Sequence, residues 1–521
     1  MAAHALLESG SRNIRDFRDA GRVGIRLGGV SLLFVPSQTP TDTRSTSGSV
    51  VEPNIELETS TQYHPFLLAN HRSGRQYPNS MAFQLWKGAC DFSSVPAMSD
   101  DIARCIAERR RELPTPFYLY SQRLLREATT RYHDLLPAEA RLFYSMKANP
   151  QAALVQQFFR LGVGAEIGSE GEWQVCTAAS VSASHVVVGG VSKSEEFLSS
   201  VCRSGPAAVV IDSIVEWRRL QKMLSFGLSA PVLLRINPGI SLGGLNMAGG
   251  SQFGLDMEQA LAIAHECSTI PRAHFLGLHF YFGSQRLVPL VVVEALEVIE
   301  RAMAEFRKKG PSFSVVDLGL GIGVPYLSTE KALDFHHSRE ELQRHWQKQI
   351  WQEIDLWAEA GRALVAAAGY FIARVTEKKR LNGKRFVFLD GGLGVHNPGI
   401  GRGNIYRRNP EFHFITDSAN GEVETVTIVG NLCTPADTLG WEVKTPHLEE
   451  GDLVIVPNSG AYCATTGALG FNSQRLYSEG LLTEAGLLTL CRPQYAQALA
   501  QAQPHNSKRK IDRRQLQGAH S

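Results

Sequence analysis

The chain has 521 residues, of which 43% are hydrophobic and 20% are charged, and its formal net charge is +2. This length predicts two globular domains with flanking segments. The folded-looking region contains no basic tract, so we expect no nucleic-acid binding. The eight cysteines form no Cys-x-x-Cys pair, which argues against a zinc cluster or disulfide framework and favours the cytoplasm. No apolar run approaches the roughly 18 residues of a membrane span, and no signal-peptide pattern opens the chain.

Both ends of the chain differ in composition from its centre. Residues 1–85 begin with interspersed arginines and continue with a stretch rich in Ser, Thr and Pro. They predict a flexible or loosely packed N-terminal extension. An organelle-targeting peptide is the alternative, although Glu8, Asp16 and Asp19 argue against it. Residues 499–521 are polar and basic and predict a fraying tail.

The centre of the chain alternates between strand-like and helix-like patterns. About eight alternations call for a parallel sheet, and we predict an α/β fold in which a (β/α)8 TIM-like barrel covers residues 116–364. A doubly wound sheet is the alternative, but it normally shows an early Gly-x-Gly-x-x-Gly loop, which this sequence lacks. The predicted strands are Phe117–Tyr120, Leu142–Met146, Gly164–Ile167, Val186–Val188, Ala207–Ile211, Val232–Ile236, Phe275–Phe280 and Val315–Leu318.

The pattern changes again after the predicted barrel. Short β-branched runs divided by Gly, Pro and Asn predict a second, C-terminal all-β domain over residues 365–498. Residues 86–115 are predicted to be a lead-in segment that contributes to this β domain.

Polar residues cluster where the predicted barrel strands end, which is where barrel enzymes carry their functional groups. Lys147 ends the strand-like run Leu142–Met146, although a lysine at such a position is more often a solvated surface group. Glu166 and Ser169 follow the next run, and residues 279–285 follow a later one. The glycine-rich segment 317–323 could bring backbone N–H groups to a phosphate, or could simply form a tight turn.

Three further segments carry polar groups. Glu359 and Arg362 lie three residues apart, and their alternative interpretation is a surface ion pair on a helix. Residues 431–437 and 459–462 are polar loops that end β-strands, and ordinary turns are the alternative there.

Together these segments resemble the pyridoxal-phosphate decarboxylases of the alanine-racemase-like fold, the family of diaminopimelate and ornithine decarboxylases. The resemblance covers about Leu113 to Leu490, and its six motifs occur in the family's order. They are Ser-Met-Lys-Ala-Asn, Gly-Leu-His-Phe-Tyr-Phe-Gly-Ser-Gln, Asp-Leu-Gly-Leu-Gly-Ile-Gly, Glu-Ala-Gly-Arg, Cys-Thr-Pro-Ala-Asp and Gly-Ala-Tyr.

The resemblance implies pyridoxal 5'-phosphate as cofactor and assigns residues to it. Lys147 would hold the cofactor covalently and later transfer protons. Glu359 would face the pyridine nitrogen and keep it protonated. Glu166 and Glu172 would lie near the cofactor without a defined role. The remaining implied cofactor residues are Tyr281, Ser284, Gly321, Gly361, Arg362 and Tyr462.

The resemblance also implies a site shared between two chains. Cys433 would come from the partner subunit of a homodimer and reprotonate the α-carbon of the substrate. Arg362 and Asp437 would contact the substrate, and no metal site is predicted.

Three departures from the family pattern bear on the substrate. Tyr281 replaces the usual cofactor-stacking histidine, although its ring can still stack. Thr434 replaces the acidic residue that commonly follows the active cysteine, so a distal ammonium loses its partner. Residues 403–410 replace the Arg-Pro-x-Leu-Tyr stretch of diaminopimelate decarboxylases. Diaminopimelate, ornithine and free lysine are therefore disfavoured as substrates.

The local sequence resembles instead a biosynthetic branch of the family, some members of which decarboxylate conjugated or carrier-bound amino acids. Arg407 and Arg408 could meet an acidic group of such a substrate, or be solvated surface residues. We therefore predict a decarboxylase of an amino acid or amino-acid conjugate. A racemase or epimerase on the same fold and a non-catalytic regulatory homologue are the alternatives.

Overall fold

The computed structural model describes residues 98–240, 250–327, 329–392, 409–417, 422–467, 471–474, 477–484 and 486 with their side chains. It describes the backbone alone for strands within 15–34 and at 84–87, 245–246 and 488–491. Among the described helices, none combines the length and apolar character needed to cross a membrane. The chain forms two compact units, residues 1–80 and residues 81–521.

The first unit contains an antiparallel sheet of three strands, β1 (Arg15–Asp19), β2 (Arg22–Leu27) and β3 (Val30–Phe34), with β2 in the middle. The rest of residues 1–85, apart from a strand at its end, lies outside the described residues, as does the tail 499–521. The flexible extension and the fraying tail therefore stay predictions.

The second unit contains the remaining described strands and helices. Its strands are β4 (Gln84–Lys87), β5 (Phe117–Ser121), β6 (Arg141–Ser145), β7 (Gly164–Ile167), β8 (Val186–Val188), β9 (Ala208–Ile211), β10 (Ala230–Arg235), β11 (Leu245–Asn246), β12 (Ala273–Tyr281), β13 (Gly283–Ser284), β14 (Val315–Gly319), β15 (Asp355–Ala360), β16 (Gly369–Leu381), β17 (Lys384–Leu389), β18 (His413–Thr416), β19 (Val423–Val429), β20 (Thr438–Pro446), β21 (Leu453–Val456), β22 (Ser478–Leu482) and β23 (Leu488–Cys491). Its helices are α1 (Asp100–Arg109), α2 (Gln122–His133), α3 (Ala152–Arg160), α4 (Glu170–Ala178), α5 (Glu195–Ser204), α6 (Ile214–Ser225), α7 (Met257–Thr269), α8 (Pro289–Lys309), α9 (Phe335–Trp346), α10 (Arg362–Val365) and α11 (Cys463–Thr466).

Eight parallel strands close into a barrel in the order β10-β12-β14-β15-β6-β7-β8-β9. The predicted α/β fold with a TIM-like barrel and a second β domain is therefore confirmed. Apolar side chains from several strands, among them Phe143, Leu233, Val315 and Trp357, fill part of the barrel interior. Such a packed core leaves the carboxyl ends of the strands as the place for a site.

The alternation of helices and strands has a local cause in the turns that follow the strands. Six helices begin after a Ser or Asp whose side chain accepts a backbone N–H three residues on, which satisfies an otherwise unpaired donor. These capping residues are Ser121, Ser169, Ser194, Ser213, Asp256 and Asp334.

The large sheet outside the barrel contains β4, β5 and β16–β23. The prediction that Phe117–Tyr120 is the first barrel strand is wrong: β5 pairs antiparallel with β16 and parallel with β22. The barrel instead closes with β15, which pairs with β6. All five residues of β5 are buried, and a short buried run looks the same in a barrel and in a central sheet strand.

The segment before β5 packs on this sheet. Strand β4 pairs antiparallel with β18, and Ile102 and Ile106 of helix α1 share an apolar cluster with Phe117 and Ile372. The domain bounds 116–364 and 365–498 stay predictions.

Candidate active site

Lys147 stands at the mouth of the barrel, in the single 3₁₀ turn Met146–Ala148 that follows β6. Its Nζ donates to Glu166 Oε2 at 2.8 Å, and 42% of its side chain is exposed while Glu166 is buried. Burial acts to lower the pKa of Lys147, but Glu166 together with Tyr281, Glu359 and Tyr462 outweighs it, and the pKa is raised. Lys147 is therefore held as an ammonium in this arrangement.

The residues after Lys147 tie the barrel to the β domain. Asn149 Nδ2 donates to the carbonyl of Gly460 at 3.0 Å and to the Tyr120 hydroxyl at 2.8 Å. The N–H of Tyr462 donates to the carbonyl of Ala148 at 2.6 Å, and Tyr462 has a left-handed backbone with φ of 65°. Such backbone strain is typical of functional sites. The β domain thus brings Tyr462 next to the lysine turn.

An aromatic ring and close-packed glycines form the next part of the site. Lys147 Nζ lies 5.3 Å from the centre of the Tyr281 ring, at the end of β12. A Cβ at Gly319 would overlap that ring. A Cβ at Gly321, where φ is +67°, would overlap the carbonyl oxygen of Gly283. The glycine-rich segment is therefore required for close packing beside the cavity.

Arg362 supplies a buried positive charge beside these glycines. Its Nε donates to Ser284 Oγ at 3.1 Å and its Nη1 to the Tyr326 hydroxyl at 2.6 Å. Its guanidinium carbon lies 4.5 Å from the centre of the Tyr462 ring. A guanidinium, a hydroxyl and glycine backbone together suit an anion such as a phosphate.

Glu359 lies at the end of β15 and is buried. The alternative of a surface ion pair on a helix is therefore wrong for Glu359 and Arg362, because the former is on a barrel strand and both are buried. Glu359 Oε2 is 3.5 Å from His279 Nε2, while Oε1 has no hydrogen-bond partner among the described residues. Burial acts to raise the pKa of Glu359, but His279 and Lys147 outweigh it and the pKa is lowered.

All eight predicted cofactor residues line one cavity. The cavity offers an anion-binding set, an aromatic face, an amine and a carboxylate with an unpartnered oxygen. These are the groups that a phosphorylated pyridine aldehyde requires, so the residues fit pyridoxal phosphate. The lining residues are Tyr132, Ser145, Lys147, Tyr281, Ser284, Gly321, Ile322, Glu359, Ala360, Gly361, Arg362, Ala363 and Tyr462.

Comparison with known proteins assigns the chain with this arrangement to a family. Residues 122–366 match the family described as "Pyridoxal-dependent decarboxylase, pyridoxal binding domain". The chain is 31% identical over 376 residues to an L-glutamyl-[BtrI acyl-carrier protein] decarboxylase of Niallia circulans, covering 70% of this chain and 88% of that protein. The chain belongs to the pyridoxal-dependent decarboxylases.

Two further relatives support the assignment. A diaminopimelate decarboxylase of Neisseria meningitidis serogroup B is 31% identical over 379 residues, covering 71% of this chain and 88% of that protein. The crystal structure of diaminopimelate decarboxylase from Helicobacter pylori complexed with L-lysine shares the fold, with a TM-score of 0.68 and 24% identity. It aligns with 75% of this chain and 98% of that one. The predicted carboxy-lyase function and pyridoxal phosphate cofactor are confirmed.

Two predicted site residues do not reach the cavity of this decarboxylase within its own chain. Cys433 is exposed on the loop between β19 and β20. Asp437, at the end of that loop, is buried, and its Oδ2 accepts the N–H of Leu432 at 2.6 Å. Asp437 therefore holds the cysteine loop, and its substrate role stays a prediction. Arg407 and Arg408 lie outside the described residues.

The other acidic candidate, Glu172, lies on helix α4 and accepts the N–H of Gly168 at 2.6 Å. Burial raises its pKa to about 7. Glu172 is therefore poised to change charge near neutral pH, without contacting Lys147 directly.

Sequence reasoning missed several residues of the decarboxylase site. Tyr132 on helix α2 lines the cavity, and Tyr326 accepts from Arg362, but neither belongs to a motif. His279 and Asp317 lie inside quoted motifs without an assigned role. Their position two residues before the ends of β12 and β14 was the available signal, and their polar atoms lie beside Glu359.

Proposed function

We propose that this decarboxylase acts on an amino acid joined through its side chain to a larger group, and that the larger group is a carrier protein. The α-amine must be free to react with the cofactor aldehyde, and the α-carboxylate must be free to leave as CO₂. A tether can therefore attach only through the side chain.

Thr434 is the observation that carries this proposal. It follows Cys433, where an acidic residue would pair with a distal ammonium, and it has no negative charge. Its hydroxyl accepts the N–H of Ala436 at 3.2 Å, so it serves the local turn. A side chain without a distal amine, such as a tethered acyl group, suits this loop better than lysine or diaminopimelate. The similarity to a decarboxylase of a carrier-bound glutamyl group points the same way.

The residues of the cavity divide the chemistry among them. The bound cofactor supplies an electron sink for the pair left on the α-carbon when CO₂ departs. Lys147 holds the cofactor, and its Nζ exchanges protons beside Glu166. Arg362, fixed by Ser284 and Tyr326, binds the phosphate.

Two further side chains control the cofactor ring. Tyr281 would stack on the ring, and Glu359, whose pKa is lowered, would keep a negative charge that holds a proton on the pyridine nitrogen. Tyr462 closes the cavity from the β domain.

Cys433 donates the proton to the α-carbon from a second copy of the chain, which makes the functional unit a homodimer. Its exposure on a β-domain loop supports a partner. Four exposed apolar side chains, Val191, Ile214, Val215 and Ile240, support it as well. These side chains are 42–60% exposed and follow the carboxyl ends of β8, β9 and β10, at the barrel end that carries the site.

Mass spectrometry of reaction products tests the substrate proposal. The holoenzyme is incubated with free glutamate, free lysine, diaminopimelate, and an amino acid linked through its side chain to a phosphopantetheine or to a carrier protein. We expect the loss of one CO₂ to be seen mainly with the linked substrates. Faster decarboxylation of free diaminopimelate or lysine would overturn the proposal. Inversion at the α-carbon without CO₂ release would instead indicate a racemase.

A matched variant sharpens this test. Thr434→Asp restores a carboxylate beside Cys433 and should raise the activity on free lysine or diaminopimelate relative to the linked substrate. An unchanged preference would show that Thr434 does not read the far end of the substrate. We also propose a cytoplasmic location, since no disulfide links the six described cysteines.

A further inference from the structure

A buried group of three ionisable side chains lies beside the cavity, contributed by neighbouring barrel strands. His279 on β12, Asp317 on β14 and Glu359 on β15 bring one polar atom each within 4.8 Å of one another. Asp317 is directly opposite His279 in the strand register. Their exposed fractions are 5%, 0% and 5%. Only Glu359 has a role in the chemistry described so far.

Asp317 has no hydrogen-bond partner for either carboxylate oxygen among the described residues. Its neighbour two residues earlier on β14, Val315, belongs to the apolar filling of the barrel with Phe143 and Trp357. An ionised carboxylate without a donor is costly to bury in such surroundings. A second carboxylate, Glu359, lies within the same 4.8 Å group, and two such close carboxylates do not both ionise.

The charged groups around the pair decide which of the two carries the proton. Glu359 faces His279 at 3.5 Å and also feels the positive charges of Lys147 and Arg235. Asp317 instead faces the negative charges of Glu359 and Glu166, and the Tyr132 hydroxyl lies near it on helix α2. Burial raises the pKa of Asp317 well above its ordinary value, whereas that of Glu359 is lowered. The proton therefore belongs on Asp317.

We propose that Asp317 is a protonated positioning residue, whose carboxyl O–H is directed at Glu359 and keeps that carboxylate ionised and oriented. This proton supplies the donor that the two carboxylates otherwise lack. Asp317 acts through Glu359 and does not touch the cofactor.

Infrared difference spectroscopy of the purified holoenzyme tests the protonation state directly. The wild type at pH 9, where Glu172 is ionised, should show the carbonyl stretch of a protonated carboxylic acid, and Asp317→Asn should lose it. Asp355→Asn, an exposed aspartate at the start of β15, is the control and should keep the band. A wild type without the band would overturn the proposal. Binding of one equivalent of a divalent metal ion by the wild type, but not by Asp317→Asn, would also overturn the proposal.

Cofactor affinity separates the positioning role from simple packing. Asp317→Asn keeps a neutral donor and should bind pyridoxal phosphate within about threefold of the wild type. Asp317→Leu keeps the volume but removes the donor, and should weaken binding by about tenfold or more, as for one lost hydrogen bond to a charged group. The pH at which the cofactor absorbance changes should shift only in the leucine variant. Equal behaviour of the two variants, each shown to be folded by its melting curve, would contradict the proposal.

Discussion

At the scale of single residues, Lys147 must lose a proton before it can attack an aldehyde carbon, and Glu166 opposes that loss. The pair at 2.8 Å raises the pKa of Lys147. Glu166→Gln should lower this pKa, and each unit of decrease gives about ten times more neutral amine. We expect faster capture of pyridoxal phosphate by the cofactor-free protein at pH 7, with a smaller difference at higher pH.

Stopped-flow absorbance of the bound cofactor measures this capture rate. Glu170→Gln, an exposed change on helix α4, should leave the rate unchanged, and Lys147→Ala should abolish the band. A rate for Glu166→Gln equal to that of the wild type across the pH range would show that the ion pair does not limit capture.

Glu172 leads to a prediction about how the stability of the fold depends on pH. Its folded pKa of about 7 is raised from 4.5, so its contribution to stability is present below pH 4.5 and is lost as the pH rises towards 7. Glu172→Gln keeps an oxygen for the N–H of Gly168 and removes this dependence. At pH 8 the variant should be more stable by on the order of 1–2 kcal/mol, after allowance for partial exposure.

Denaturant unfolding of the cofactor-free protein at pH 5 and pH 8 provides the measurement. Glu170→Gln on the same helix is the control and should track the wild type at both values. A Glu172→Gln variant that loses stability at pH 8 would mean that the native carboxylate is favourable there.

At the scale of elements, the glycine-rich segment after β14 should tolerate no side chain at Gly321. A Cβ there would overlap Gly283 and would also occupy a left-handed backbone, which costs about 1 kcal/mol in itself. Gly321→Ala should therefore weaken pyridoxal phosphate binding by at least about tenfold. Gly171→Ala, in helix α4, where a Cβ would meet only the Ser169 Oγ at 3.9 Å, should bind the cofactor normally and gain up to about 1 kcal/mol of stability. Equilibrium cofactor titration compares the two, and equal affinities would contradict a packed cradle.

The elements that carry the site also show which of its residues the sequence could predict. Lys147 and Gly321 lie in contiguous motifs whose chemistry is local, so they were found directly. Strand β15 was missed because Glu359 sits in a short segment without alternation, and only closure of the barrel against β6 reveals it. Asp317 and Tyr326 acquire their neighbours only through the fold. Asp317 lies beside Glu359 of the adjacent strand, and Tyr326 accepts a hydrogen bond from Arg362 across the cavity.

At the scale of the whole molecule, the exposed Cys433 and the cavity of the same chain do not meet, which predicts a site completed by a second copy. Lys147→Ala damages the cavity, while Cys433→Ala should slow turnover far more than it weakens cofactor binding. In a dimer with shared sites, mixed pairs of these variants contain one intact site. Random exchange of subunits should therefore restore about a quarter of the wild-type activity.

A second mixture provides the control for this restoration. Lys147→Ala and Glu359→Gln both damage the cavity of their own chain, so no mixed dimer of these two regains an intact site. We expect no recovery from this pair, measured as CO₂ release after subunits are exchanged under mild denaturation. Recovery in both mixtures would show that the regained activity does not report a site shared between two chains. Absence of recovery with Cys433→Ala, in a mixture shown by mass spectrometry to contain mixed dimers, would remove Cys433 from the partner's site.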